Sequence, residues 1–303
     1  MQLSISTNWN SRQHDDGEAM VGEILAMGLD AIELGYSLTH RQADDVRRLQ
    51  TAGTIRVVSV HAYCPVPMGA VSGGPELFTI CDAAPRARAR AVREVLKSVR
   101  LAAEVGAGAV VLHAGRVRVG RKMRQLAQMA AAGRRHEPRY EKRLARLLDL
   151  RTRRAGKVYD RLRDSLDELL PECEKLGVKL ALENLPSADA LPNEVELQQL
   201  CEEFAGSPLA GWHDFGHAQV RENLGLIHHP GIVRRLVPLL AGFHVQDIVG
   251  VDDAHLMPPG GDVKYERFRE LGSLDLPAVL EPAPGTPAEY VRRAVDFLSD
   301  LWA

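Results

Sequence analysis

Cysteine is scarce and scattered. Cys64, Cys81, Cys173 and Cys201 are the only four and form no CxxC pair, so the sequence suggests neither a disulfide framework nor a thiolate zinc site. No apolar run approaches the roughly 18 residues needed to cross a bilayer. The opening MQLSISTNWNSRQHDD has neither the charged start nor the apolar core of a secretory leader. A reducing, cytoplasmic setting without a membrane partner is therefore expected. Overall charge is also slight, with 38 Lys and Arg against 40 Asp and Glu for a net of −2. That small net conceals a strong local imbalance.

What the chain does contain is a set of short apolar runs, each ending on a residue able to bind a metal or a substrate. They end at Asn8, Glu33, His61, His113, Glu183, Asp214, His244 and Glu281. A strand buried on both faces reads as a continuous Val, Ile, Leu and Ala run. Such runs alternating with helical stretches predict a (β/α)8 TIM barrel, whose strands all open their C-terminal ends onto one face. A barrel of this type needs about 250 residues, so the 303 present predict one domain, 1–303, with insertions. Helices are expected near 17–27, 41–52, 86–105, 158–176, 194–204, 231–237, 265–271 and 286–301. The strand-end residues recur at about the spacing of a βα repeat except after His61 and His113, which marks two long loops on the active face.

The second long loop holds the charge imbalance. Residues 116–163 carry 17 Lys or Arg against Glu137, Glu141, Asp149 and Asp160, a net of +13 that leaves −15 for the rest of the chain. The sequence thus predicts an Arg-rich helical insertion after strand 4, at about 115–157. One reading is a basic lid that grips a phosphorylated or polyanionic substrate. The other, which is favoured, is a pair of solvated helices whose guanidinium groups stand in water or pair with acids of another subunit in a homo-oligomer. Only Tyr140 and Tyr159 interleave with these cations, which leaves nucleic acid a less favoured partner.

Convergence at one mouth places Glu183, Asp214, His244 and Glu281, from strands 5 to 8, around a single divalent ion. His61 and His113 approach from strands 3 and 4. The DFGH run adds His217 three residues after Asp214, and the DAH run adds Asp253 and His255. Nine candidates exceed what one ion coordinates, so either several metals bind or some of these groups hold substrate. His217, His255 and Trp212 are the residues expected at the substrate. Glu33 is expected to form a buried hydrogen bond to a neighbouring strand. His14, His40, His136, His228 and His229 lie in polar or loop contexts and are expected in solvent.

The segments VSVHAYCP, VVLHAG, LALENLP, HDFGHA, HVQD, DDAHLMPPGGDV and AVLEP together resemble the xylose isomerase-like TIM-barrel superfamily, from Leu3 to Leu301. That group includes sugar isomerases, ketose 3-epimerases and endonuclease IV. Resemblance to the epimerase and isomerase branch implies one manganese, magnesium or cobalt ion on Glu183, Asp214, His244 and Glu281, with Glu183 and Glu281 also moving protons. Resemblance to endonuclease IV implies three zinc ions on all nine residues: one on His61, His113 and Glu183, one on Glu183, Asp214, His244 and Glu281, one on His217, Asp253 and His255. The HDFGH turn and the Arg-rich insertion depart from these patterns, and DDAHLMPPGGD looks like sugar isomerase-like proteins. The favoured expectation is a metal-dependent isomerase or epimerase of a carbohydrate. The alternative is a multi-zinc phosphoesterase acting on an abasic nucleic acid or a small phosphodiester.

Overall fold

In the computed structural model, which describes residues 1–303, eight parallel strands close into a barrel. They are β1 (Gln2–Ser6), β2 (Ala31–Leu34), β3 (Arg56–His61), β4 (Ala109–Leu112), β5 (Lys179–Glu183), β6 (Leu209–Asp214), β7 (Leu240–Val245) and β8 (Pro277–Leu280). Each pairs with its neighbours in sequence, and the ring closes where β8 meets β1 between Gln2↔Pro277 and Ile5↔Leu280. The surrounding helices are α1 (Gly17–Leu25), α2 (His40–Thr51), α3 (Pro85–Glu104), α4 (Lys122–Ala131), α5 (Pro138–Leu176), α6 (Glu194–Glu203), α7 (Phe215–Asn223), α8 (His229–Leu236) and α9 (Ala288–Trp302). None is long and apolar enough to cross a membrane.

The strands lack apolar–polar alternation because both faces are buried. Outward residues join the helices in the main core, while Ala109, Val111, Ala181, Ala210, Trp212, Ala241 and Val279 form a separate cluster inside the barrel. Alternation of side chains along a strand then carries the inward column 109–111 on to His113, 181 to Glu183, 210–212 to Asp214, and 279 to Glu281. The ligand-type residues therefore crown apolar columns, and the barrel core serves as the floor of the site. Small alanines in those columns leave room for the Trp212 indole. Gly242, opposite Trp212 in the β6–β7 register, leaves the remaining space, since a Cβ there would sit 2.4 Å from the ring.

Two helices differ from expectation. α5 is one helix from Pro138 to Leu176 rather than one starting near Val158, so the basic segment continues directly into the barrel's own helix. Its buried stripe includes Leu147, Ala155, Leu162 and Leu166, but Arg151 interrupts it. The buried Arg151 guanidinium is held by Glu196 of α6 and by the Ala190 carbonyl, a tertiary arrangement that masks the apolar periodicity. α7, which was not expected, begins immediately after Asp214, whose carboxylate caps it by accepting the His217 N–H at 2.6 Å. Residues Phe215 to Arg221 are all buried, the polar His217, Gln219 and Arg221 among them, so the sequence shows no separation of an apolar from a polar face.

An antiparallel ribbon, Asp247–Val249 with Asp252–Leu256, follows β7 and turns back over the mouth. Its loop is tied down by the buried Asp247 carboxylate, which accepts the backbone N–H groups of Ile248, Gly260, Gly261 and Val263 at 2.7–3.1 Å. Gly261 is required for that approach, because a Cβ there would lie 2.1 Å from the Ile248 carbonyl oxygen. The ribbon brings Asp253 and His255 to the site from beyond the barrel.

Candidate metal centre

All nine residues proposed from the sequence as ligands meet at the C-terminal mouth. Their donor atoms group into His61, His113 and Glu183; Glu183, Asp214, His244 and Glu281; His61, His244 and Glu281; and His217, Asp253 and His255, with the donors in each group within 4.8 Å of one another. Glu183 is the hub. One oxygen faces His113 Nε2 at 3.0 Å and His61 Nε2 at 3.2 Å, and the other faces His244 Nδ1 at 3.2 Å and His217 Nδ1 at 3.3 Å. His244 Nδ1 is also 3.5 Å from Glu281, and His217 Nε2 is 3.1 Å from Asp253.

The histidines are oriented before any ion arrives. A carbonyl can only accept, so His61 Nδ1–H donates to the Ala62 carbonyl at 2.9 Å and His255 Nδ1–H to that of Glu281 at 3.0 Å. His217 Nδ1–H donates to the Asn184 carbonyl at 2.8 Å. These bonds fix the tautomers, leaving Nε2 free on the side of the donor groups. His244 is turned the other way. Its Nε2–H donates to Glu33 at 3.1 Å, which leaves Nδ1 toward Glu183 and Glu281. Orientation of a ligand imidazole through its second nitrogen by a carboxylate or carbonyl is the usual support of a metal site.

Glu33 thus makes the buried bond expected of it, accepting from Ser59 of β3 at 2.8 Å as well as from His244. Asn8, the first strand-end residue, is held away in the loops, its oxygen accepting from Ser37 N–H and Oγ–H. Trp212 corrects an expectation. It is fully buried in the barrel interior, edge-to-face with His244 at 5.3 Å, because it sits one inward step below Asp214. It supports the site from beneath and is not placed to touch a substrate. His229 is also not in solvent. It is buried with its Nε2 3.1 Å from that of His213 and its ring against Phe268; His40, His136 and His228 are exposed and His14 is partly so.

Four residues at or around the centre carried no signal that strand-end reasoning could use. Asn184 clamps the Asp214 backbone in both directions, at 2.7 and 3.1 Å. Gln246 donates to Asp214 at 3.2 Å and to Asp253 at 2.9 Å, linking two donor groups. Tyr36 stands edge-on to His61 at 5.2 Å, and Glu76 lies 3.7 Å from His113 Nδ1. Gln246 lies two residues beyond His244, where the inward column continues, and Asn184 directly follows Glu183. Tyr36 and Glu76 lie in loops.

The charge balance fits a divalent cation. Burial, together with Glu183 and Glu281, pushes Asp214 up to about 6 against the pull of His217 and His244. Burial opposes protonation of His244, yet Glu281, Glu33 and Glu183 hold it well above the ordinary imidazole range. Buried carboxylates this close require positive charge, which protonated imidazoles supply in the absence of an ion. Mixed oxygen and imidazole donors suit zinc or manganese. The separations of 3.0–3.3 Å around Glu183 match the ~3.3 Å edge of a tetrahedron with ~2.0 Å bonds.

With that geometry in place, comparison with known proteins assigns the family. Residues 21–301 match the family described as xylose isomerase-like TIM barrel. The chain belongs to this family. No curated protein matches it. Among solved structures it is similar to a D-tagatose 3-epimerase-like protein, with 18% identity, a TM-score of 0.69 and coverage of 99% of this chain and 97% of the other. The 3-keto-D-glucoside 4-epimerase of E. coli gives 16% identity, a TM-score of 0.69 and 99% coverage of both chains. A Thermus thermophilus protein soaked with ZnCl2 gives 21% identity, a TM-score of 0.62 and coverage of 99% of this chain and 98% of that one. At these identities the likeness carries the fold.

Proposed function

We propose that this barrel is a divalent-metal-dependent isomerase or epimerase acting on a sugar or sugar derivative. The observation that carries the reading is the Glu183, Asp214, His244 and Glu281 group, in which two glutamates flank His244 Nδ1 at 3.2 and 3.5 Å. The sugar epimerases among its structural neighbours support it. These four residues would hold the ion, which when bound supplies Lewis-acid polarisation of adjacent carbonyl and hydroxyl oxygens. Glu183 takes a proton from the carbon between them, and Glu281 returns one from the other side. His217 and His255, at the rim, orient substrate hydroxyls. Burial of the whole group excludes bulk water from the transferred proton.

A second reading, a multi-zinc phosphoesterase, is favoured by a separate observation: the five remaining donors also fall into ligand-sized groups, His61 and His113 with Glu183, and His217 with Asp253 and His255. Elemental analysis of chelator-free protein, with ketose C–H exchange followed in deuterated water, decides between the two. The isomerase reading expects one ion per chain and solvent deuterium in the substrate, with exchange lowered on the order of 10³-fold in Glu183→Gln. Two or three zinc ions per chain with no C–H exchange would overturn it in favour of phosphoester hydrolysis.

A further inference from the structure

Beside the metal centre lies a cavity of about 750 Å³ whose wall includes His113. A volume of this size accommodates a small molecule. Its other wall is basic. Arg154, Lys157 and Arg161 line it from α5, and Arg118 lines it from the loop after β4. The three α5 residues are spaced i, i+3 and i+7, so they share one face of the helix. Arg116, also in the wall, is already committed, to Glu76 and to Asp189. The other four form no ion pair. Arg154 and Arg161 each give one N–H to a backbone carbonyl, of Arg118 and of Cys81, both at 2.8 Å, which aligns the side chains and leaves their charges unneutralised. Asp82 is the one further carboxylate in the wall, so the four cations leave an excess of positive charge that an anion would offset.

We propose that this cavity is an anion subsite for a phosphate-type group carried by the substrate, with the reacting end of that substrate at His113 and Glu183. The assignment rests on the metal-centred reading for the position of the chemistry, and it adds the substrate class: a phosphorylated small molecule. Guanidinium and ammonium donors suit a phosphate dianion, which accepts several charge-assisted hydrogen bonds at once. Its position beside His113 favours a small ester. A second basic cleft farther along α5, of about 440 Å³, is lined by Lys122, Arg139, Lys142, Arg143 and Arg146 but by no donor of the metal centre. It serves as the internal control.

The test is calorimetric titration of the metal-loaded protein with sulfate and with inorganic phosphate at low ionic strength. One anion per chain is expected. The Arg154→Ala/Lys157→Ala variant should bind it at least about tenfold more weakly, because two charge-assisted contacts are lost, whereas Lys142→Ala/Arg146→Ala should bind as the wild type does. With Mn²⁺ supplied, the ³¹P line of bound phosphate should broaden, since the subsite adjoins the ion. Glu183→Gln separates the two proposals: sulfate binding that survives there while metal content falls supports the subsite independently of the metal-centred chemistry. Absence of anion binding, an undiminished affinity in Arg154→Ala/Lys157→Ala, or a ³¹P line indifferent to manganese would overturn the subsite. Equal weakening of a DNA duplex by both double variants, with no phosphate bound, would replace it with an extended nucleic-acid groove.

Discussion

At the barrel mouth, carboxylates and imidazoles alternate in sign, are almost wholly buried, and sit where strand ends and backbone carbonyls fix them. Along α4 and the first half of α5 cations far outnumber acids, and most of them stand in water. The contrast shows what burial does to a charge. Inside, an ionisable group must be matched by a partner, and the matching dictates orientation, tautomer and protonation. Outside, solvent screening leaves a charge free to act at a distance, so its contribution is to steer or hold an anion rather than to stabilise the fold. α5 joins the two regimes. Arg151 is buried and paired with Glu196, while Arg154 and Lys157, within two turns of it, are exposed.

The comparison can be broken most forcefully from beneath the mouth. Trp212→Ala should cost about 3–5 kcal/mol in chemical denaturation, the usual range for removing a large buried aromatic, and should also lower metal affinity because the floor under His244 is gone. A loss below about 1 kcal/mol would mean that the barrel interior is not packed as described.

Next in size is Glu33→Gln, which leaves the shape nearly unchanged and removes only the charge that orients His244. Metal affinity should fall roughly 10–100-fold, the range for second-layer partners of ligand histidines. Competition against a chelator of known affinity measures this. Unchanged affinity would show that His244 is held by its ligand neighbours alone.

The smallest effect is expected on the exposed basic face of α5. Arg139→Ala and Lys142→Ala, both exposed and without ion pairs, should each change stability by no more than about 0.5 kcal/mol, read from denaturant midpoints. A larger loss would mean that these charges of α5 are structural, and the difference between the mouth and α5 would disappear.

The alternation of apolar runs and helical stretches determined the barrel, since a strand buried on both faces has no other way to read. The same runs ended on His61, His113, Glu183, Asp214, His244 and Glu281, which made these six legible without coordinates, while the DFGH and DAH runs supplied His217, Asp253 and His255. The resemblance carried by their motifs pointed to the family that the chain proved to match. Tertiary structure decided the rest. Trp212 stands next but one to Asp214 in sequence, and only the stacking of inward layers reveals that it lies below the site. His229 follows another histidine in a polar stretch, and only the packing of α8 against Phe268 buries it. The full length of α5 was hidden by Arg151, whose burial depends on Glu196, 45 residues away. The tautomers of His61, His217 and His255 likewise depend on which carbonyl each ring meets. Hydrophobic periodicity is local and survives in a sequence, whereas the partner of a buried polar group is chosen by the closed barrel.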